Sequence, residues 1–219
     1  FVISKKKESL KRYFYCDNFY KKLIKKKRND KRLKLEYSKI KKYRKMIKFV
    51  YQNSPKGTGD AVLKCRKLIK SDFFLMLMPD DLIIKNNCSK TLIKLHKKYK
   101  SSIIASKKVD KKNVSRWGIF DIKKINKKDF NIKDVIEKPS IKLAPSNFAV
   151  IGRYILPKEI FAVLKKQKIG KNGEIHITDS IRTLISRKNK FVGHIFAGKY
   201  LDCGSMKGYI DSSLKISKQ

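Results

Sequence analysis

Phe73-Phe74-Leu75-Met76-Leu77-Met78, followed by Pro79-Asp80-Asp81, is an unbroken apolar run of strand length that stops at two carboxylates. A strand covered on both faces loses the alternation of apolar and polar residues, so the run predicts a central parallel strand. Open α/β sheets gather their chemistry beyond the carboxyl ends of such strands. Asp80 is therefore placed to hold a magnesium ion, which takes one or two carboxylates together with substrate phosphates. The alternative is that Asp80 caps the next turn.

Upstream of that run, Lys48-Phe49-Val50-Tyr51 reads as a short strand. Gln52-Asn53-Ser54-Pro55-Lys56-Gly57-Thr58-Gly59-Asp60 follows, then a helix with Val62, Cys65, Leu68 and Ile69 at helical spacing. Gly57 and Gly59 let the backbone approach a ligand closely, and Thr58 can cap a helix whose positive end suits an anion or a nucleobase edge. The loop is neither a Walker loop nor a Rossmann fingerprint, and a plain connecting loop is the other reading.

Downstream, a helix around Ser89 to Tyr99 leads to the strand Ser102-Ile103-Ile104-Ala105, and Trp117-Gly118-Ile119-Phe120 enters another. Between Val135 and Leu156 two strand-like runs flank a turn-rich middle carrying Pro139, Ser140, Pro145, Ser146 and Asn147, so Glu137, Lys138 and Asn147 project from strand ends and loop. A glutamate supplies acceptors for hydroxyls and a lysine an ammonium for phosphate, the two groups that a sugar phosphate needs. An exposed turn with ordinary charges competes with that reading. Gly170-Lys171-Asn172-Gly173-Glu174-Ile175 leads into a helix with Ile181, Leu184 and Ile185 on one face and Thr178 as its cap. A strand at Phe191 to Phe196, Asp202 before a glycine turn, and a helix with Met206, Tyr209, Ile210 and Leu214 close the chain. Strands alternating with helices predict a doubly wound α/β fold with a mixed, mainly parallel sheet.

At 219 residues, with no Pro/Gly/Ser-rich linker, residues 1–219 read as a single domain. No run approaches the length of a membrane span and the opening lacks the order of a signal peptide, which predicts a cytoplasmic protein. Cys16, Cys65, Cys88 and Cys203 lack metal or disulfide-framework spacing and read as free thiols of a reducing compartment. His96, His176 and His194 show no metal spacing. A net charge of +39 will attract polyanions at low salt, so a basic nucleic-acid-binding protein on an old enzyme fold stands as a rival. The lysines run along nearly the whole chain, no zinc-finger, KH or RRM signature is present, and the basic region from Phe19 to Lys45 keeps apolar residues at helical spacing. Those features point to lysine decoration of solvated faces and away from a specific nucleic-acid partner.

In this order the pieces resemble the bacterial type of UTP:glucose-1-phosphate uridylyltransferase, also called UDP-glucose pyrophosphorylase, of the sugar nucleotidyltransferase superfamily. The resemblance is carried by Gln52 to Leu63, Met78-Pro79-Asp80-Asp81, Trp117-Gly118-Ile119, Glu137-Lys138-Pro139, Ala144-Pro145-Ser146-Asn147 through Gly152-Arg153-Tyr154, Gly173-Glu174-Ile175 with Thr178-Asp179, and Asp202-Cys203-Gly204 with Gly208-Tyr209. It implies a Rossmann-like nucleotidyltransferase fold and an enzyme that joins UTP and glucose 1-phosphate into UDP-glucose, releasing pyrophosphate, with Mg2+ as cofactor. It also implies a homo-oligomer, dimer or tetramer. By the same resemblance Gln52 and Gly57 match positions on the uracil, Asp80 the magnesium-holding aspartate, Gly118, Glu137 and Asn147 positions around the glucose, and Lys138 the lysine on the phosphates. Asp202 matches a second metal-proximal aspartate of related thymidylyltransferases. A sugar-1-phosphate nucleotidyltransferase of another base or sugar is the nearest alternative. The chain departs from the family in three places: it starts at what resembles the second strand, without the first strand and the glycine-rich loop that grips the triphosphate; Trp117 stands where tyrosine is usual; and Lys21 to Lys45 is far more basic. The expectation is an N-terminally incomplete member that by itself forms little or no UDP-glucose.

Overall fold

Phe148–Pro157, an almost wholly apolar ten-residue strand, is bonded on both of its edges, and Ala149, Ile151 and Leu156 are fully buried. The computed structural model that shows this describes residues 1–28, 30–170 and 173–218. Lys171 and Asn172 of the glycine-rich stretch lie outside the described residues. In chain order the elements are β1 (Val2–Ile3), α1 (Ser9–Tyr15), α2 (Asp17–Lys26), α3 (Lys31–Arg44), β2 (Val50–Tyr51), α4 (Thr58–Lys64), β3 (Phe73–Leu77), β4 (Asp81–Ile84), α5 (Cys88–Tyr99), β5 (Ser102–Lys108), β6 (Gly118–Lys124), β7 (Asp129–Glu137), β8 (Phe148–Pro157), α6 (Ile160–Lys166), α7 (Ile177–Ser186), β9 (Phe191–Ile195), β10 (Lys199–Asp202) and α8 (Met206–Ser217).

Six strands form one mixed sheet in the order β3-β8-β5-β9-β7-β6. A further pairing, Ile119 of β6 opposite Ala149 of β8, bends five of them into a barrel-like ring. The expectation of a mainly parallel sheet does not hold. Within the six strands only β5–β9 is parallel, while β3–β8, β5–β8, β6–β7, β6–β8 and β7–β9 are antiparallel. Closure explains why the strands read as they do: a strand in a closed, helix-covered ring is buried on both faces whatever its direction, so an apolar run carries no sign of parallel pairing.

The expectation that the Phe73 run is a central parallel strand is also corrected. Among the described residues β3 is an edge strand that pairs with β8 alone, antiparallel, and Phe73 and Leu77 are 36% and 50% exposed. Its inner residues still meet the core, Phe74 stacking on Phe161 with ring centroids 5.3 Å apart.

Helices cover both faces of the sheet. Ile177, Ile181 and Leu184 of α7, together with Ile160 and Leu164 of α6, pack against Phe120, Phe130 and Phe191, because their spacing puts an apolar stripe on one side of each helix. On the opposite face Leu92 of α5 joins Ile103, Ile151 and Val192. The basic helices α1 to α3 form an arm with a small core of its own, Tyr20, Tyr37 and Ile40. All four cysteines are free thiols. Among the described residues no helix is long and apolar enough to cross a membrane.

Candidate active site

The floor of the site is built where β3 ends. Met78 N–H donates to Gly152 O at 2.9 Å, and Gly152 N–H donates to Asp81 Oδ2 at 2.7 Å, so β8 lies directly on the Met78–Asp81 turn. Gly152 is required there, since a Cβ would collide with both Met78 and Asp81. The second oxygen of Asp81 accepts a hydrogen bond from Tyr200 Oη. Burial pushes the Asp81 carboxyl above its ordinary range and, with the neighbouring carboxylate, pushes the Tyr200 phenol up as well.

With Asp81 committed to these donors, Asp80 is the carboxylate left over. Asp80 Oδ1 is buried and accepts no hydrogen bond from the described residues. The β4–β10 pairing sets Asp202 opposite Asp81, and the following turn folds back so that Cys203 N–H donates to Asp80 O at 2.8 Å. A Cβ placed on Gly204 would stand 3.1 Å from Asp80 Oδ2 and 3.3 Å from Asp202 Oδ1, so the two carboxylates converge on one small volume. An orphaned carboxylate oxygen beside a second carboxylate is the donor set of a hard divalent cation.

The facing wall comes from the β6–β7 hairpin. Gly118 is paired with Glu137, and Thr178 Oγ1, from the first turn of α7, donates to Glu137 Oε2 at 2.9 Å. Lys138 follows with φ of +45°, a left-handed conformation that costs a non-glycine residue about 1 kcal/mol, and its N–H donates to Trp117 O at 3.1 Å. Arg116 stacks over the Trp117 ring at 4.7 Å and places Nη2 2.6 Å from Asp202 Oδ2.

Floor and wall enclose a cavity of about 410 Å³, and Asp80, Gly118, Glu137, Lys138 and Asp202 all line it. Gln52, Gly57 and Asn147 do not. Gln52 Nε2 donates to Gly57 O at 3.1 Å and to Asp60 Oδ2 at 2.9 Å, and Gln52 lines a separate cavity of about 650 Å³ with Ile3, Leu10 and Pro79. Gly57, at φ of +93°, is pressed against Ile175, whose N–H donates to Lys56 O at 2.8 Å. Asn147 Nδ2 donates to Val109 O at 2.9 Å.

Two helix caps differ from expectation. Gly57 is the residue that precedes α4, and Thr58 Oγ1 instead accepts from Ile177 N at 3.2 Å, capping α7 across the site. Thr178 then lies inside the first turn of α7, after His176, and its hydroxyl is free to serve Glu137. Sequence reasoning missed Arg116, Thr178 as a partner of Glu137, and Tyr200. Tyr200 carried a usable signal, because in a strand it shares a face with Asp202 two positions on. Arg116 carried none.

The description of the nucleotidyl transferase family matches residues 7–219. The chain belongs to that family. Within the nucleotidyl transferases it is 34% identical to the UTP–glucose-1-phosphate uridylyltransferase of Bacillus subtilis strain 168 over 174 residues, 79% of this chain and 59% of that protein. The enzyme of the same name from Pseudomonas aeruginosa PAO1 is 34% identical over 168 residues, 75% of this chain and 60% of that protein. The chain thus spans about 60% of the length of these curated relatives. A solved structure of UDP-glucose pyrophosphorylase complexed with UDP-glucose superposes with a TM-score of 0.83 at 36% identity, over 99% of this chain and 79% of that one. The nucleotidyl transferase fold, which the sequence motifs imply, therefore stands on the arrangement of the chain as well as on its residues.

Proposed function

We propose that this protein transfers the uridylyl group of UTP to glucose 1-phosphate, giving UDP-glucose and pyrophosphate. The observation that carries the reading is the single cavity in which the hydroxyl acceptor Glu137 and the cation Lys138 stand on one wall and Asp80 and Asp202 on the floor. Similarity to uridylyltransferases of two bacteria, and to a structure that holds UDP-glucose, supports the choice of base and sugar.

In this reading a phosphate oxygen of glucose 1-phosphate attacks the α-phosphorus of UTP, forming one P–O bond while the bond to the β-phosphate breaks and pyrophosphate leaves. The nucleophile is already an anion, so no general base is needed, and the protein acts by positioning and charge neutralisation. Glu137, fixed by Thr178, orients sugar hydroxyls beside Gly118. Lys138 meets the charge that develops on the phosphates. Gln52, which lines the neighbouring cavity and donates to Gly57 O, takes the uracil side together with Gly57. Asn147, its amide spent on Val109 O, supports the sugar side by fixing the start of β8. Asp80 and Asp202 would hold the magnesium ion, which supplies charge neutralisation on phosphate oxygens.

The test is to incubate the full-length protein with glucose 1-phosphate, Mg2+ and each nucleoside triphosphate in turn, following nucleotide sugar and pyrophosphate. UDP-glucose formed with UTP in clear preference is the expected result. Preference for another base would move the protein to a different nucleotidyltransferase activity, and no product with any triphosphate would overturn the reading.

A further inference from the structure

Arg116 occupies a position that a divalent cation at Asp80 and Asp202 would contest. Its Nη2 lies 2.6 Å from Asp202 Oδ2, while Asp202 Oδ1 accepts from Gly204 N–H at 3.0 Å beside Asp80. Asp202 thus shares the space beside Gly204 with Asp80, and two carboxylates side by side favour a cation between or beside them. Arg116 supplies positive charge from one side. Its hold is light: the side chain is 54% exposed and Asp202 is 30% exposed. Exposed pairs of this kind are worth about 0.2–1 kcal/mol, so they yield to a competing dication. The guanidinium need not travel far on release. It rests on the Trp117 ring, and Trp117 O is bonded to Lys138 N–H on the wall where anionic substrates would arrive.

We propose that Arg116 competes with the divalent cation for Asp202. The guanidinium holds the carboxylate in place when metal is absent and gives it up when metal binds, remaining on Trp117 at the cavity wall. The inference rests on the reading of Asp80 and Asp202 as metal ligands and is independent of which nucleotide or sugar the protein uses.

The test is a Mn2+ titration of the full-length protein without substrate, with free Mn2+ read by electron paramagnetic resonance. Emission of Trp117, the only tryptophan among residues 1–219, gives a second readout of the stacked guanidinium. Arg116→Ala should bind Mn2+ about fivefold more tightly, the affinity equivalent of losing a competing pair of about 1 kcal/mol. Arg116→Lys should fall between Arg116→Ala and the parent. In an Asp202→Ala background Arg116→Ala should change nothing, and metal should shift Trp117 emission in the parent protein but not in Arg116→Ala. Unchanged or weaker Mn2+ binding by Arg116→Ala overturns the proposal, as does tightening that persists without Asp202, since either result reduces Arg116 to ordinary surface charge. Asp80→Asn separates the two levels. If it leaves Mn2+ binding as in the parent, or if no variant binds Mn2+ saturably, Asp80 and Asp202 hold no ion in the absence of substrate phosphates and this proposal falls, while the metal reading with substrate bound stands apart from it. If it weakens binding while Arg116→Ala is silent, only the role of Arg116 is lost.

Discussion

Thr178 and Glu137 are joined by a 2.9 Å hydrogen bond in which the Thr178 hydroxyl donates to Glu137 Oε2, tying the first turn of α7 to the last residue of β7. The carboxylate that faces the cavity is thereby held by a different layer of the fold from the one that carries it. Thr178→Val keeps the shape and removes the donor, leaving a partly enclosed acceptor unpaired at a cost of about 1–3 kcal/mol. In the proposed reaction the KM for glucose 1-phosphate should rise about tenfold, and Tm should fall by about 2–10 °C. Steady-state kinetics with a thermal melt decide it, and an unchanged KM would detach Thr178 from sugar binding.

Lys138 combines a left-handed backbone with a place in the lining of the cavity. Lys138→Gly relieves the backbone strain and removes the ammonium, so it should raise stability by about 0.5–1 kcal/mol while lowering kcat by about a hundredfold or more. Lys138→Ala should lose the same activity without the gain in stability. A Lys138→Gly variant that keeps full turnover would show that the ammonium takes no part in transfer.

Asp17 joins α2 to α3 through Arg44, Nη2 to Oδ1 at 2.6 Å, and through the Tyr37 hydroxyl at 2.8 Å. The Arg44 guanidinium first, and the Tyr37 hydroxyl second, hold the Asp17 carboxyl well below the usual carboxylate range. A depressed acid stabilises the fold above its unfolded-state pKa of about 3.9, and that contribution is lost as the pH falls through the folded value. Asp17→Asn should therefore melt lower than the parent at neutral pH, with the gap closing in acid. Melts across a pH series would show it. A gap independent of pH would mean that the carboxylate charge contributes nothing to the arm.

Gly152 lets β8 lie against Met78 and Asp81 with no side chain between them. Gly152→Ala should destabilise the protein by about 1–3 kcal/mol through overpacking. The displaced Met78–Asp81 turn carries Asp80, so Mn2+ binding should weaken in the same variant. Denaturant titration and Mn2+ titration together test this, and a Gly152→Ala variant with parent stability would show that the turn yields freely.

Most of the strands and helices in their order, the apolar stripe of α7, and residue types suited to a sugar phosphate were legible along the chain, because each rests on local spacing and side-chain chemistry, whereas the short strands β4 and β10 and helix α6 were not. Of the residues singled out there or by the family resemblance, Asp80, Gly118, Glu137, Lys138 and Asp202 fold into one cavity, whereas Gln52, Gly57 and Asn147 do not line it. The direction of strand pairing was not legible, since a strand buried on both faces has the same composition in either direction. Nor was the edge position of β3, whose apolar run is partly exposed and whose single partner among the described residues, β8, is distant in sequence and met only by tertiary pairing. Nor could spacing reveal that Thr58 caps α7, that Thr178 holds Glu137, or that Arg116 rests on Asp202, for these bonds join residues that share no element and meet only when the sheet closes. Local chemistry selected which groups were available, and the long-range closure of the sheet selected which of them touch.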